Sequence, residues 1–159
     1  MARSLSSDGV TVPDCYVCSN NDQIGTLPPR EHVIVEGGWR AAHAFDSALL
    51  GWLVLVPTRH VSALHDLSAT EAAVMGSLLV RLSAALKEVV GCEKTYVMLF
   101  AEAHGFGHLH YHLVPRMPHF TSAEIGPQVF SFLGKNENDR VSADDQDVLA
   151  ARLAVALAR

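Results

Sequence analysis

Residues 108–116 read HLHYHLVPR, with His108, His110 and His112 at alternate positions and Leu109, Tyr111 and Leu113 out of phase with them. Successive side chains of a strand point to opposite faces, so this segment predicts a strand over residues 108–114 with two unlike sides. Leu109, Tyr111 and Leu113 belong to a core. The histidines share the other face with neighbours roughly 6 to 7 Å apart, and a row of imidazoles has three uses: metal ligands, nucleophile or general base, and donors to an anion such as phosphate. Decoration of a solvent-facing strand is the bland alternative, and threonine or lysine would serve it as well.

The remaining chain supplies a sheet and helices around that strand. Residues 32–35 and 39–45 flank Gly37-Gly38, which reads as a hairpin turn, and residues 49–57 (LLGWLVLVP) read as a buried strand. Ser68 and Glu71 have capping-box spacing. Beyond them Val74, Leu78, Leu79, Leu82, Leu86 and Val89 fall on one helical stripe, which Gly91 ends. Residues 95–101 predict a strand, AEAHGFG a loop, and Pro115 the end of the histidine strand. Residues 117–138 carry mixed signals, with QVFSFL a short strand or a docking segment, and residues 142–159 an Ala-rich helix with Ser142 as cap and Asp145 at its third position. This order predicts an α+β fold: a mostly antiparallel sheet of about five strands, one long helix and a C-terminal helix.

With 159 residues, of which 49% are hydrophobic, the chain suffices for one domain with a real core. Its formal charge of −5 argues against a nonspecific grip on nucleic acid, while a nucleotide bound locally stays compatible. The longest unbroken apolar stretch, residues 48–56, is too short to span a bilayer, and the polar start MARSLSSDG does not resemble a signal peptide; the expected location is cytoplasmic. Of the three cysteines, Cys15 and Cys18 form the spacing CYVC, which in a reducing compartment suggests metal or redox chemistry, and Cys92 reads as a small buried apolar residue.

HLHYHLV resembles the His-apolar-His-apolar-His-apolar-apolar signature of the histidine triad (HIT) family of nucleotidyl hydrolases and transferases. CYVC, GWLVLVPTRHV and DLSATE follow the order of a HIT domain, so the resemblance covers residues 15–120, between a flexible arm over 1–14 and an extension over 121–159 whose terminal helix is expected to pack on the same domain. It implies that His110 attacks the α-phosphorus of a nucleotide conjugate to form a covalent nucleotidyl-histidine, and that His112 holds the phosphate oxygens. Dinucleoside polyphosphates, nucleoside phosphoramidates and NDP-sugars are the substrate classes so implied. A nucleotide-binding or adaptor module that keeps the triad without turnover is the alternative.

In the zinc-containing branch of that family the metal is held by an early CxxC, a histidine after the PxRH strand and the first triad histidine, which here are Cys15, Cys18, His60 and His108. Two thiolates and two imidazoles close a tetrahedral site, a structural zinc with no open position for water. The chain departs from the family before the triad, where many members carry Gln-Ser/Thr-Val and this one has His104-Gly105-Phe106, so no hydroxyl is available there. His104 and the amides around Gly105 and Gly107 are candidate phosphate contacts, as is Arg116, which could equally meet a surface carboxylate. By analogy the nucleoside pocket lies near the second and third strands, with His43, Phe45 and Asp46 as candidates; Trp39 and Trp52 read as core or rim aromatics. The resemblance also implies a homodimer through the long helix and an edge strand, a use of the 74–89 stripe that competes with the core.

Overall fold

Gly37 and Gly38 lie at φ +57° and +83°, the pair of positive values a two-residue type I′ loop requires, and Glu36 faces Trp39 across them. The turn joins β1 (Ile34–Glu36) to β2 (Trp39–His43) as the hairpin predicted from the sequence. The computed structural model describes Val12 and residues 14–159; the arm expected over 1–14 otherwise lies outside the described residues. β3 (Leu53–Pro57), β4 (Lys94–Leu99) and β5 (Tyr111–Arg116) complete a five-stranded sheet in the order β1-β2-β3-β5-β4, with every neighbouring pair antiparallel.

All five strands differ from their predicted bounds at one end or both, β3 and β5 the most. β3 begins at Leu53, because the Ser47 hydroxyl accepts from the Leu49 amide at 2.9 Å and Gly51 takes φ +94°, so residues 49–52 turn before the strand starts. β5 begins at Tyr111, leaving His108 and His110 just before it, and it runs on through Pro115. Proline is tolerated there because β3 pairs only with residues 111–113, so at Pro115 the strand has a neighbour, β4, on one side alone.

The helices are α1 (Tyr16–Asn21), α2 (Ala69–Val90) and α3 (Ala143–Leu157). α2 starts on the expected capping box, Ser68 Oγ accepting from the Glu71 amide at 3.2 Å and a Glu71 carboxylate oxygen accepting from the Ser68 amide at 2.8 Å. It stops at Gly91 in the left-handed conformation. Arg59, from PTRH, grips the same glutamate at 2.6 Å and holds its carboxyl down at about 2. Leu78, Leu82 and Leu86 of α2 and Leu149 and Leu153 of α3 are buried with Trp39, Leu53, Leu55, Leu109, Tyr111 and Leu113, so the stripe serves the core of this chain. Each such leucine contributes roughly 1.5 to 3 kcal/mol relative to exposure. Ser142 caps α3 by accepting from the Asp145 amide at 3.1 Å, and Arg30 ties the helix to the start of the chain through Asp147 at 2.7 Å.

The opposite face of the sheet is only partly covered. A second cluster of Ala44, Leu49, Trp52, Val114, Phe120 and Val129 occupies one end, roofed by the 3-10 segment Gly126–Phe132. That segment holds QVFSFL up to its last leucine, and it is helical where a short strand was one expectation, docking through Val129 and Phe130. No helix among the described residues is long and apolar enough to cross a membrane.

Candidate functional site

Where the open face meets α1, four side chains converge. Cys15 caps α1, its Sγ accepting from the Cys18 amide at 3.4 Å, which turns both thiols of the CxxC to one side. His108 Nδ1 lies 3.5 Å from each thiol sulfur, and His60 Nδ1 lies 3.3 Å from Cys18 Sγ. All four ligand atoms fall within 4.8 Å of one another. Bonds of about 2.3 Å to sulfur and about 2.0 Å to nitrogen imply tetrahedral edges of about 3.3 to 3.8 Å, and the three sulfur–nitrogen separations of 3.3 to 3.5 Å fall in that range. The donor set fits too, since His108 Nε2 donates to the Pro57 carbonyl at 3.0 Å and thereby turns its Nδ1 lone pair toward the thiols. Burial lowers the pKa of His108 to about 4 and that of His60 below its ordinary value, and a metal needs both rings neutral.

The other two triad histidines line a cavity of about 570 Å³ beside this cluster. Their rings stand edge to face, 4.9 Å apart. His110 Nδ1 donates to the His108 carbonyl at 2.8 Å, so in the neutral ring Nε2 holds the lone pair. His112 is held differently: its Nδ1 accepts from the Trp52 indole N–H at 3.1 Å. Burial, and then the neighbouring His110, lower its pKa to about 4. The accepted indole N–H and the lowered pKa both favour the neutral ring.

Sheet register explains the cavity floor. Val54 pairs with His112 on one side and Ala42 on the other, and the small side chains of Ala42 and Ala44 leave space above β2. One wall is aromatic: Tyr16, Phe45 and Phe106 meet with centroids 5.4, 5.6 and 6.1 Å apart. Phe130, from the C-terminal extension, closes another side by packing edge-on to both His112 and Trp52 at 5.6 Å. Arg40 and Glu31 also reach the cavity as an ion pair at 3.4 Å, with Arg40 Nε donating to Asn21 at 2.7 Å.

Of the residues singled out in the sequence, His110, His112, Phe45 and Asp46 meet at this cavity, and Cys15, Cys18, His60 and His108 meet beside it. One Asp46 oxygen already accepts from the Gly134 amide at 3.0 Å. The others lie elsewhere. His104, Gly105 and Gly107 are exposed and outside the cavity lining, to which their loop contributes Ala101, Glu102, Ala103 and Phe106 instead. Arg116 sits on the far end of β5 in an ion pair with Glu93, the surface-carboxylate alternative. His43 lines the cavity but spends both ring nitrogens on the backbone, Nδ1 donating to the Ala44 carbonyl at 2.9 Å and Nε2 accepting from the Gly51 amide at 3.0 Å. Sequence reasoning missed Trp52 as a partner of His112 and Phe130 as a wall, because both contacts depend on register and on a segment outside the HIT resemblance.

No family model and no curated protein matches the chain. Solved structures do. A Zn-bound histidine triad family protein from Mycobacterium smegmatis superposes with a TM-score of 0.65 at 18% identity, covering 91% of this chain and 93% of that one. A hypothetical histidine triad nucleotide-binding protein from Sulfolobus tokodaii gives 0.67 at 14% identity over 91% and 92% of the two chains. A Hit-like protein from Bartonella henselae, described as involved in cell-cycle regulation and solved with an unknown ligand, gives 0.65 at 18% over 87% and 93%. The agreement spans nearly the whole length of both partners in each case, with the sheet order and helices described above: this chain has the histidine triad fold.

Proposed function

We propose that the chain is a nucleotide hydrolase or nucleotidyltransferase that cleaves at the α-phosphate of a nucleotide conjugate through a covalent intermediate on His110. The observation that carries this reading is the His110 Nδ1 bond to the His108 carbonyl at 2.8 Å, which keeps a lone pair on Nε2 in a ring that lines the cavity. In the first step Nε2 attacks phosphorus and forms an N–P bond. The bond from phosphorus to the leaving oxygen, or nitrogen in a phosphoramidate, breaks, and that atom departs with the electron pair. The imidazole, now substituted at Nε2, carries positive charge, which the His108 carbonyl stabilises through the Nδ1 proton. Water or another acceptor then attacks phosphorus, the N–P electrons return to Nε2, and the acceptor's proton passes to solvent.

His112 adds a hydrogen-bond donor to the phosphate oxygens, and Phe45 and Asp46 belong to the nucleoside end. Cys15, Cys18, His60 and His108 would hold a structural zinc that fixes α1 on the sheet and anchors the residue whose carbonyl His110 uses. Metal analysis of the purified protein should then find one zinc per chain; two or more would mean that His110 and His112 also serve as ligands. The protein so read works in the cytoplasm on small nucleotide conjugates, as a homodimer.

A binding module is the second reading, favoured by the loop before the triad: Ala101, Glu102, Ala103 and Phe106 bring no hydroxyl to the cavity. A panel of dinucleoside polyphosphates, phosphoramidates and NDP-sugars separates the two. Release of a nucleoside monophosphate by the native protein and none by His110→Ala supports the enzyme. Micromolar affinity for the panel without product supports the module.

A further inference from the structure

The two cavity histidines are held by opposite kinds of partner, and the second of these partners is not a usual one for an imidazole. Trp52 is fully buried, and its indole nitrogen can only donate. It approaches His112 Nδ1 at 3.1 Å, with the rings perpendicular and their centroids 5.7 Å apart. The indole itself cannot swing away. Phe130 packs on it edge-on at 5.6 Å, and its backbone is pinned on both sides, the Trp52 amide donating to the Leu49 carbonyl at 3.3 Å and its carbonyl accepting from the Ala44 amide at 2.8 Å.

We propose that Trp52 is a positioning residue of the site: its N–H fixes His112 in the Nε2–H tautomer, so that His112 meets the substrate phosphate as a neutral donor and cannot compete with His110 as nucleophile. A proton on His112 Nδ1 would set two N–H groups against each other across 3.1 Å. A neutral ring must then carry its proton on Nε2, the nitrogen that has no hydrogen-bond partner among the described residues. His110 has the reverse assignment, with Nδ1 protonated and Nε2 bare. Two chemically identical side chains 4.9 Å apart thus acquire distinct roles, one attacking and the other donating. No carboxylate imposes this difference. Of the charged groups lining the cavity, Glu31 is paired with Arg40 and Asp46 accepts from Gly134; neither these nor Glu102 forms a hydrogen bond to His112 among the described residues. The role of Trp52 rests on the nucleotidyl-transfer reading, but its hold on His112 can be measured without any substrate.

The test is nitrogen NMR of histidine-labelled holoprotein at pH 7, with the His112 signals assigned by their loss in His112→Gln. The expected spectrum shows a bare Nδ1 and a protonated Nε2 for His112, with the opposite pattern for His110. Trp52→Phe keeps an aromatic ring and removes the donor. It should abolish the tautomer preference and lower kcat by about 10- to 100-fold while leaving KM within about threefold. Should that variant not fold, the native indole N–H resonance serves instead, and it must move upfield in His112→Leu. A protonated Nδ1 on His112 in the native protein, or a Trp52→Phe protein with unchanged tautomer and kcat, overturns the proposal. Native protein that has the Nε2–H tautomer but turns over no conjugate supports the hold of Trp52 on His112 and overturns the nucleotidyl-transfer reading instead.

Discussion

The two faces of the sheet use the same strands for opposite ends. On the helix-covered face Leu109, Tyr111 and Leu113 enter a core with Leu53, Leu55, Leu78 and Leu82, where apolar contact is non-directional and neighbours substitute for one another. On the open face His108, His110 and His112 each have a different fixed partner: the CxxC thiols, a backbone carbonyl and an indole N–H. Alternation along one segment therefore separates what holds the fold from what acts. The lesson is that the chemistry-bearing face is specified atom by atom, while its reverse is specified mainly by volume and hydropathy.

That contrast can be broken from either side. The largest effect belongs to the open face: His110→Ala should lower turnover by a factor of about 10⁴ or more with circular dichroism and zinc content unchanged, because only the attacking atom is lost. Next comes the covered face. Leu82→Ala, at a fully buried position, should cost about 2 to 5 kcal/mol in urea unfolding while kcat per folded molecule stays the same.

Acid probes the boundary between the two faces. Burial holds the pKa of His43 at about 4. In the unfolded chain the same group takes up a proton at about 6.5, so the unfolded state binds more protons between those values. Stability from this residue is complete above pH 6.5 and is lost as pH falls toward 4. One such histidine should cost about 2 kcal/mol on going from pH 8 to pH 5, and His43→Asn should flatten the profile by that amount in urea titrations. Smallest is the helix cap far from the cavity: Ser68→Ala should remove about 1 kcal/mol, seen as a lower melting temperature with kinetic constants unchanged.

Much of the covered face was legible in the sequence because its signals are periodic and local. The Leu78–Leu82–Leu86 stripe, the Ser68–Glu71 box and the Gly37-Gly38 turn each depend on residues near one another in the chain. The open face was legible where a motif concentrates it, at Cys15, Cys18, His60 and the triad. It was not legible where separate segments meet by register. Trp52 reaches His112 because Leu53 pairs with Leu113, and Phe130 reaches both from a 3-10 turn whose mixed pattern reads as a short strand or a docking segment. His104, Gly105 and Gly107 have residue types that suit an anion, but their loop turns Ala101, Glu102, Ala103 and Phe106 to the cavity instead.

The measurement that bears most directly on the open face is intact-protein mass spectrometry within seconds of mixing native or His112→Ala protein with nucleotide conjugates, quenched without acid. A mass increase equal to one nucleoside monophosphate, absent from His110→Ala, is the expected result, and its size would name the nucleotide. Product formation with no such adduct in any variant, or an adduct that survives in His110→Ala, would contradict covalent catalysis at His110.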